Sequence, residues 1–171
     1  MKNALRSLAL LGALSVLGTV PGALADSPPS SFEVDLSRRA SQIAWIEGRF
    51  EGLTPGASLA LSFPVWRTGL YRVIDPAGTV SQLTFEDGKG KALTLTRSGT
   101  SRWEGTVPPS GQVHLRYRLY ANSLEDRTRD LDATHAFLNP GAVFPYVEAL
   151  RDAPVSVQVD LPEGWDLISG L

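Results

Sequence analysis

There is no cysteine in these 171 residues, so disulfide frameworks, thiol catalysis and thiolate-held zinc are all excluded, and the core must be held by burial alone. Histidine is nearly absent too. His114 and His135 are the only two, 21 positions apart, and neither is followed by glutamate. The H-E-x-x-H helix, which sets two imidazoles one turn apart on zinc and a glutamate to activate water, is therefore missing. No cluster of Lys and Arg forms a stripe able to neutralise phosphates, which sets nucleic acid aside as a partner. Long apolar runs are also scarce. The longest, Leu8 to Val20, has 13 residues, where a membrane span needs ~20.

That run is preceded by Lys2 and Arg6 and followed by Pro21 and Ala23-Leu24-Ala25. The pattern is that of a secretory signal peptide over residues 1–25, so the mature chain is expected to begin at Asp26, to be periplasmic or secreted, and to have no membrane attachment after cleavage. Without Lys2 and Arg6 it keeps 14 basic and 18 acidic side chains, a net charge of −4. Residues 26–31, Asp-Ser-Pro-Pro-Ser-Ser, read as a polar, flexible leader. Residues 32–171 are a suitable length for one domain, which usually has roughly 100–200 residues.

Within that domain the apolar residues recur at every second position, which is the strand period. Val113, Leu115, Tyr117 and Leu119 share one face of a strand while His114, Arg116 and Arg118 take the other. The same alternation places strands at Phe32–Leu36, Leu59–Phe63 and Val155–Leu161, each with one wet face. Gln42–Phe50, Tyr71–Ile74, Val80–Phe85, Leu93–Arg97 and Arg102–Val107 are strands of less regular pattern. Turn chemistry separates them at Asp75-Pro76-Ala77-Gly78, Glu86-Asp87-Gly88-Lys89-Gly90 and Pro108-Pro109-Ser110-Gly111. Only Val147–Arg151 is suited to a short helical turn. The expectation is an all-β domain, an antiparallel sandwich or saddle of about nine to ten short strands.

One stretch, Asn122 to Tyr146, breaks the rhythm. It is charged from Glu125 to Asp132 and then carries Phe137, Leu138, Phe144 and Tyr146. Long irregular segments in compact domains are commonly functional, and apolar side chains collected on a loop mark an interaction surface.

Four segments, in order, carry a resemblance. They are Pro64-Val65-Trp66-Arg67-Thr68-Gly69-Leu70-Tyr71, the strand ending Tyr117-Arg118-Leu119-Tyr120, the segment Leu131-Asp132-Ala133-Thr134-His135-Ala136-Phe137-Leu138-Asn139, and the ending Val157-Gln158-Val159-Asp160-Leu161-Pro162-Glu163-Gly164-Trp165. Together they resemble the N-terminal β-domain of the glycyl-aminopeptidase-like zinc metallopeptidases, metallopeptidase family sixty-one. No one motif is specific; their ordered combination is. Thr68 stands where the family usually has proline, Ala136 where it usually has glycine, and Pro140 follows the asparagine where glycine is common, which leaves open how the two loops are bent. In that family a thermolysin-like catalytic domain and a PDZ domain follow. The resemblance therefore implies a non-catalytic domain that packs on a catalytic peptidase domain and helps shape its substrate cleft, with zinc expected only in that catalytic domain. The alternative is a stand-alone periplasmic module that binds a glycan or an extended peptide.

For the chain itself no catalytic residue and no metal ligand are expected. The candidates for cleft or interface are His135, Phe137, Asn139, Phe144 and Tyr146. His135 has a plainer reading, a structural histidine bonded to the backbone of its own loop, which is the commoner case. Trp66 and Tyr71 flank Gly69 and suggest an aromatic shelf, although a plug at the edge of the sandwich is the more usual role for such rings; Trp45, Trp103 and Trp165 are read as plugs as well. Asp130 and Asp132 are two apart and would share a strand face. Alternating charge of this kind ordinarily marks a solvated loop with weak ion pairs.

Overall fold

Rows of side chains running across strands organise the molecule, whose computed structural model describes residues 28–66, 69, 73–124 and 128–170. The alternating stretches form β1 (Ser30–Asp35), β2 (Ile43–Phe50) and β7 (Val113–Tyr120), and antiparallel pairing sets Phe32 against Gly48 and Leu115, and Val34 against Ile46 and Tyr117. Because paired residues share a face, these rows form one continuous apolar surface. Gly48 is what lets the first row close. A Cβ there would lie 2.8 Å from Phe32 Cε1 and 3.2 Å from Leu115 Cγ.

β4 (Val80–Asp87) joins the far side of β7, and β12 (Val155–Asp160) joins the outer side of β1, giving the order β12-β1-β2-β7-β4. The β1–β12 pair is parallel and every other strand pair is antiparallel. A second sheet, in the order β11-β3-β6-β5, covers the apolar face; its strands are β3 (Ser58–Ser62), β5 (Thr96–Gly99), β6 (Arg102–Thr106) and β11 (Tyr146–Val147). Leu59, Leu61, Phe63 and Val147 are buried between the layers. The Phe63 ring bridges them, 5.7 Å from Tyr117 and 6.0 Å from Trp103, both edge-on. The sandwich is all-β, as its sequence pattern implies.

Several boundaries differ from that pattern. There are twelve strands among the described residues, the extra ones being very short. Ser30 and Ser31, the last residues of the expected leader, already belong to β1, and Ser30 is buried. The strand expected at Leu93–Arg97 is displaced to Thr96–Gly99, because Leu93 is used in the preceding turn, where its N–H donates to Phe85 O. Of the strand expected at Tyr71–Ile74, Tyr71 and Arg72 lie outside the described residues, and Val73 and Ile74 are in no strand. Residues 1–25 also lie outside them. The helical turn at Val147–Arg151 is present as a 3-10 turn, Glu148–Leu150, with two more at Arg39–Ser41 and Pro76–Thr79. None of the described helices is long and apolar enough to cross a membrane.

Asn122 to Tyr146 is more ordered than its composition suggests. It forms a small sheet of β8 (Asn122–Ser123), β9 (Arg129–Leu131) and β10 (Ala136–Leu138), followed by a single α-helical turn, α1 (Pro140–Val143). This unit is pinned to the core from beneath. The buried Tyr117 hydroxyl donates to Val143 O at 2.6 Å, and Leu131 and Val143 are fully buried.

Candidate functional site

The β9–β10 hairpin turns on Asp132. Its Oδ1 accepts from Thr134 N at 2.6 Å, Thr134 Oγ1 at 2.7 Å and His135 N at 3.0 Å. These bonds, the Thr134 backbone first among them, hold the Asp132 carboxyl at about 2, below the usual carboxylate range. The His135 ring sits between two carboxylates, with Nδ1 3.2 Å from Asp132 Oδ1 and from Thr134 Oγ1, and Nε2 3.1 Å from Asp130 Oδ2. Nε2 is shielded from solvent and has no aligned hydrogen bond, so its contact with Asp130 is one of proximity and charge.

Asp130, Asp132 and His135 are thus the one grouping of metal-type donor atoms among the described residues, all within 4.8 Å of one another. The donor Oδ1 of Asp132 is already taken by three hydrogen bonds, which is the chemistry of a turn. His135 is bonded within its own loop, as the plainer reading has it, although to side chains and not to the backbone. Asp130 departs from the expected solvated loop: its side chain is only 13% exposed.

Beyond the turn, the candidates separate. Asn139 caps α1, its Oδ1 accepting from Gly141 N at 3.1 Å, and Pro140 occupies the first helical position where a missing N–H costs nothing. Phe144 stacks on Phe32, ring centres 4.6 Å apart. Tyr146 is in β11, paired with Ser62, with the Arg151 guanidinium 5.7 Å from its ring. Phe137 alone of the aromatic candidates on this hairpin is exposed, at 37%.

His135, Phe137 and Phe144 meet along one groove of about 810 Å³, to which Asn139 and Tyr146 do not contribute. Its other walls are Val155, Val157 and Val159 of β12 and the segment from Gly164 to Ser169. Of these, the valines were legible as a strand with one wet face, and Val157 to Trp165 as one of the four segments of the resemblance. The apolar alternation of the valines says that the opposite face wants cover, but not that the chain leaves it partly open. Trp66 is 59% exposed and so is no plug; it lies outside the groove lining, and its partner in the expected shelf, Tyr71, lies outside the described residues. Trp45, Trp103 and Trp165 are half-buried. Arg116 lies over Trp45 at 4.5 Å and Arg39 over Trp165 at 5.9 Å.

Fold and site together define a two-layered, all-β domain with an apolar groove along one sheet edge. The family model of the Peptidase M61 N-terminal domain matches residues 31–171, and the chain belongs to that family. A similar fold occurs in the crystal structure of an aminopeptidase N family protein from Idiomarina loihiensis, with a TM-score of 0.69 and 21% sequence identity over 78% of this chain. The chain spans only 22% of that protein's length. No curated protein matches it.

Proposed function

We propose that the chain serves as the non-catalytic N-terminal domain of an exported, aminopeptidase-like zinc metallopeptidase, packing on a catalytic domain in cis and helping to shape its substrate cleft. The observation that carries this reading is Phe137, an exposed ring on a three-residue strand beside an apolar groove, where a free surface would be polar. His135 and Phe144 share the groove wall. Zinc, in this reading, is held by the catalytic domain.

The test separates surface from core. Phe137→Ser should reduce self-association of the isolated chain and leave its melting temperature unchanged. A loss near the ~3–5 kcal/mol typical of truncating a buried Phe would overturn the interface. Metal analysis of the dialysed chain should find no stoichiometric zinc, since a zinc site needs three or four free ligands. Intact mass of exported protein should correspond to a start at Asp26.

Exposed Trp66 favours the second reading, a periplasmic module for a glycan or an extended peptide. Quenching of tryptophan fluorescence by an oligosaccharide, abolished by Trp66→Ala, would support it over the first.

A further inference from the structure

The edge of a β-sheet presents a row of unpaired N–H and C=O groups, and folded proteins guard such rows with bulges, prolines, charges or short strands. Most of the edges here are guarded. β4 is bulged between Ser81 and Thr84, with Gln82 at φ 53, and β5 is bulged between Arg97 and Gly99. β8 and β11 are two residues long and β10 is three. β12 has no bulge and no proline, and its one charge, Asp160, stands at its end. Its six residues pair with β1 in unbroken one-to-one register, it contains no Lys, Arg or Pro, and among the described residues no backbone group bonds to its outer side. Val155, Val157 and Val159 point to the groove, while Ser156 and Gln158 are exposed on the other face.

Charge narrows the choice of occupant. The described lining of the groove includes Asp166 and His135 but no Lys or Arg, and Asp160 and Glu163, at the end of the strand and just after it, are exposed. A second copy would bring the same acidic end and no cation on its own β12.

The geometry points to a peptide-binding edge: β12 takes an extended segment of another polypeptide as an added strand, apolar side chains at alternate positions filling the groove beside Val157 and Val159, and a Lys or Arg at the end near Asp160 and Asp166. Strand addition of this kind draws its affinity from main-chain bonds and its selectivity from alternate pockets. Both readings use the groove walled by His135, Phe137 and Phe144, so a seated catalytic domain and the peptide would exclude one another there.

The probe is fluorescein-labelled acetyl-Lys-Val-Thr-Val-Thr-Val-amide, titrated into the full chain by anisotropy, alongside two versions N-methylated at either the Val or the Thr nitrogens. An added strand bonds its neighbour through alternate residues only, so one methylated peptide should lose at least about tenfold in affinity and the other little. Val155→Lys, at a site 56% exposed, should weaken binding about tenfold with an unchanged melting temperature. Equal losses for the two methylated peptides would overturn strand addition in favour of simple apolar capture. Absence of binding, or a dimer in sedimentation that Val155→Lys dissociates, would overturn the peptide site altogether.

Discussion

Ile46 and Val159 stand in the same row of the same sheet, both next to Val34, one on each side of it. Ile46 is fully buried and Val159 is partly exposed. Alternation decides which face a side chain takes, but the second layer decides whether that face becomes dry. β3, Phe63 and Val143 cover β2 and β7; β12 extends past that cover, facing the β9–β10 hairpin, Pro140, Phe144 and the segment from Gly164 to Ser169 across a groove.

Ile46→Ala carries the largest expected effect, a loss of about 2–5 kcal/mol for a cavity in the covered part of the sheet, while Val159→Ala should cost well below that. Urea unfolding of both variants measures the gap, and equal costs would mean the two ends of the row are equally covered. Gly48→Ala comes next. Its methyl would collide with Phe32 and Leu115, and overpacking of this sort costs about 1–3 kcal/mol; a neutral result would show that the Phe32 ring moves aside. Tyr117→Phe should follow at about 1–3 kcal/mol, since it leaves the Val143 carbonyl buried without its donor. Burial also raises the Tyr117 hydroxyl well above its ordinary range, so in an alkaline absorbance titration this tyrosine should be the last to ionise.

The smallest effect belongs to the hairpin. Its Asp132 carboxyl is depressed, so the turn's stabilisation is present above the ordinary carboxylate range near 3.8 and is lost as pH falls through about 2. The Thr134 amide shift, followed by NMR, should therefore titrate with a midpoint near 2. A midpoint at the ordinary carboxylate value would show that the three bonds to Oδ1 do not persist in solution.

How much of this was legible in the sequence follows from the same distinction. The strands of β1, β3 and β7 could be read from Phe32, Val34, Leu59, Leu61 and the Val113-to-Leu119 alternation, because period is a local statement; β2 was read from the less regular Gln42–Phe50. The β9–β10 unit was hidden, since three-residue strands have too few positions to show a period and their burial comes from Tyr117, far away in sequence. The parallel placement of β12 against β1 was hidden as well, because antiparallel neighbours are the usual outcome of tight turns. Of the candidates, Phe137 is exposed at the surface. Asn139 and Phe144 were drawn by composition into a loop and turned out to hold that loop in place, one as a cap and one on Phe32.

The β1–β12 ladder has a temporal meaning. Ser30 pairs with Val155 and Asp35 with Asp160, so among the described strands the first is completed by the last, and this closure spans most of the described sandwich. Contacts of such sequence separation are slow to form, because the loop entropy is lost before the contact rewards it. During synthesis, β1 must wait with one flank open while β2 and β7 assemble on the other. A chain stalled before Val155 would therefore expose the Phe32 and Val34 strand as a bare edge, and it is in that interval, more than in the finished fold, that this protein would depend on chaperones.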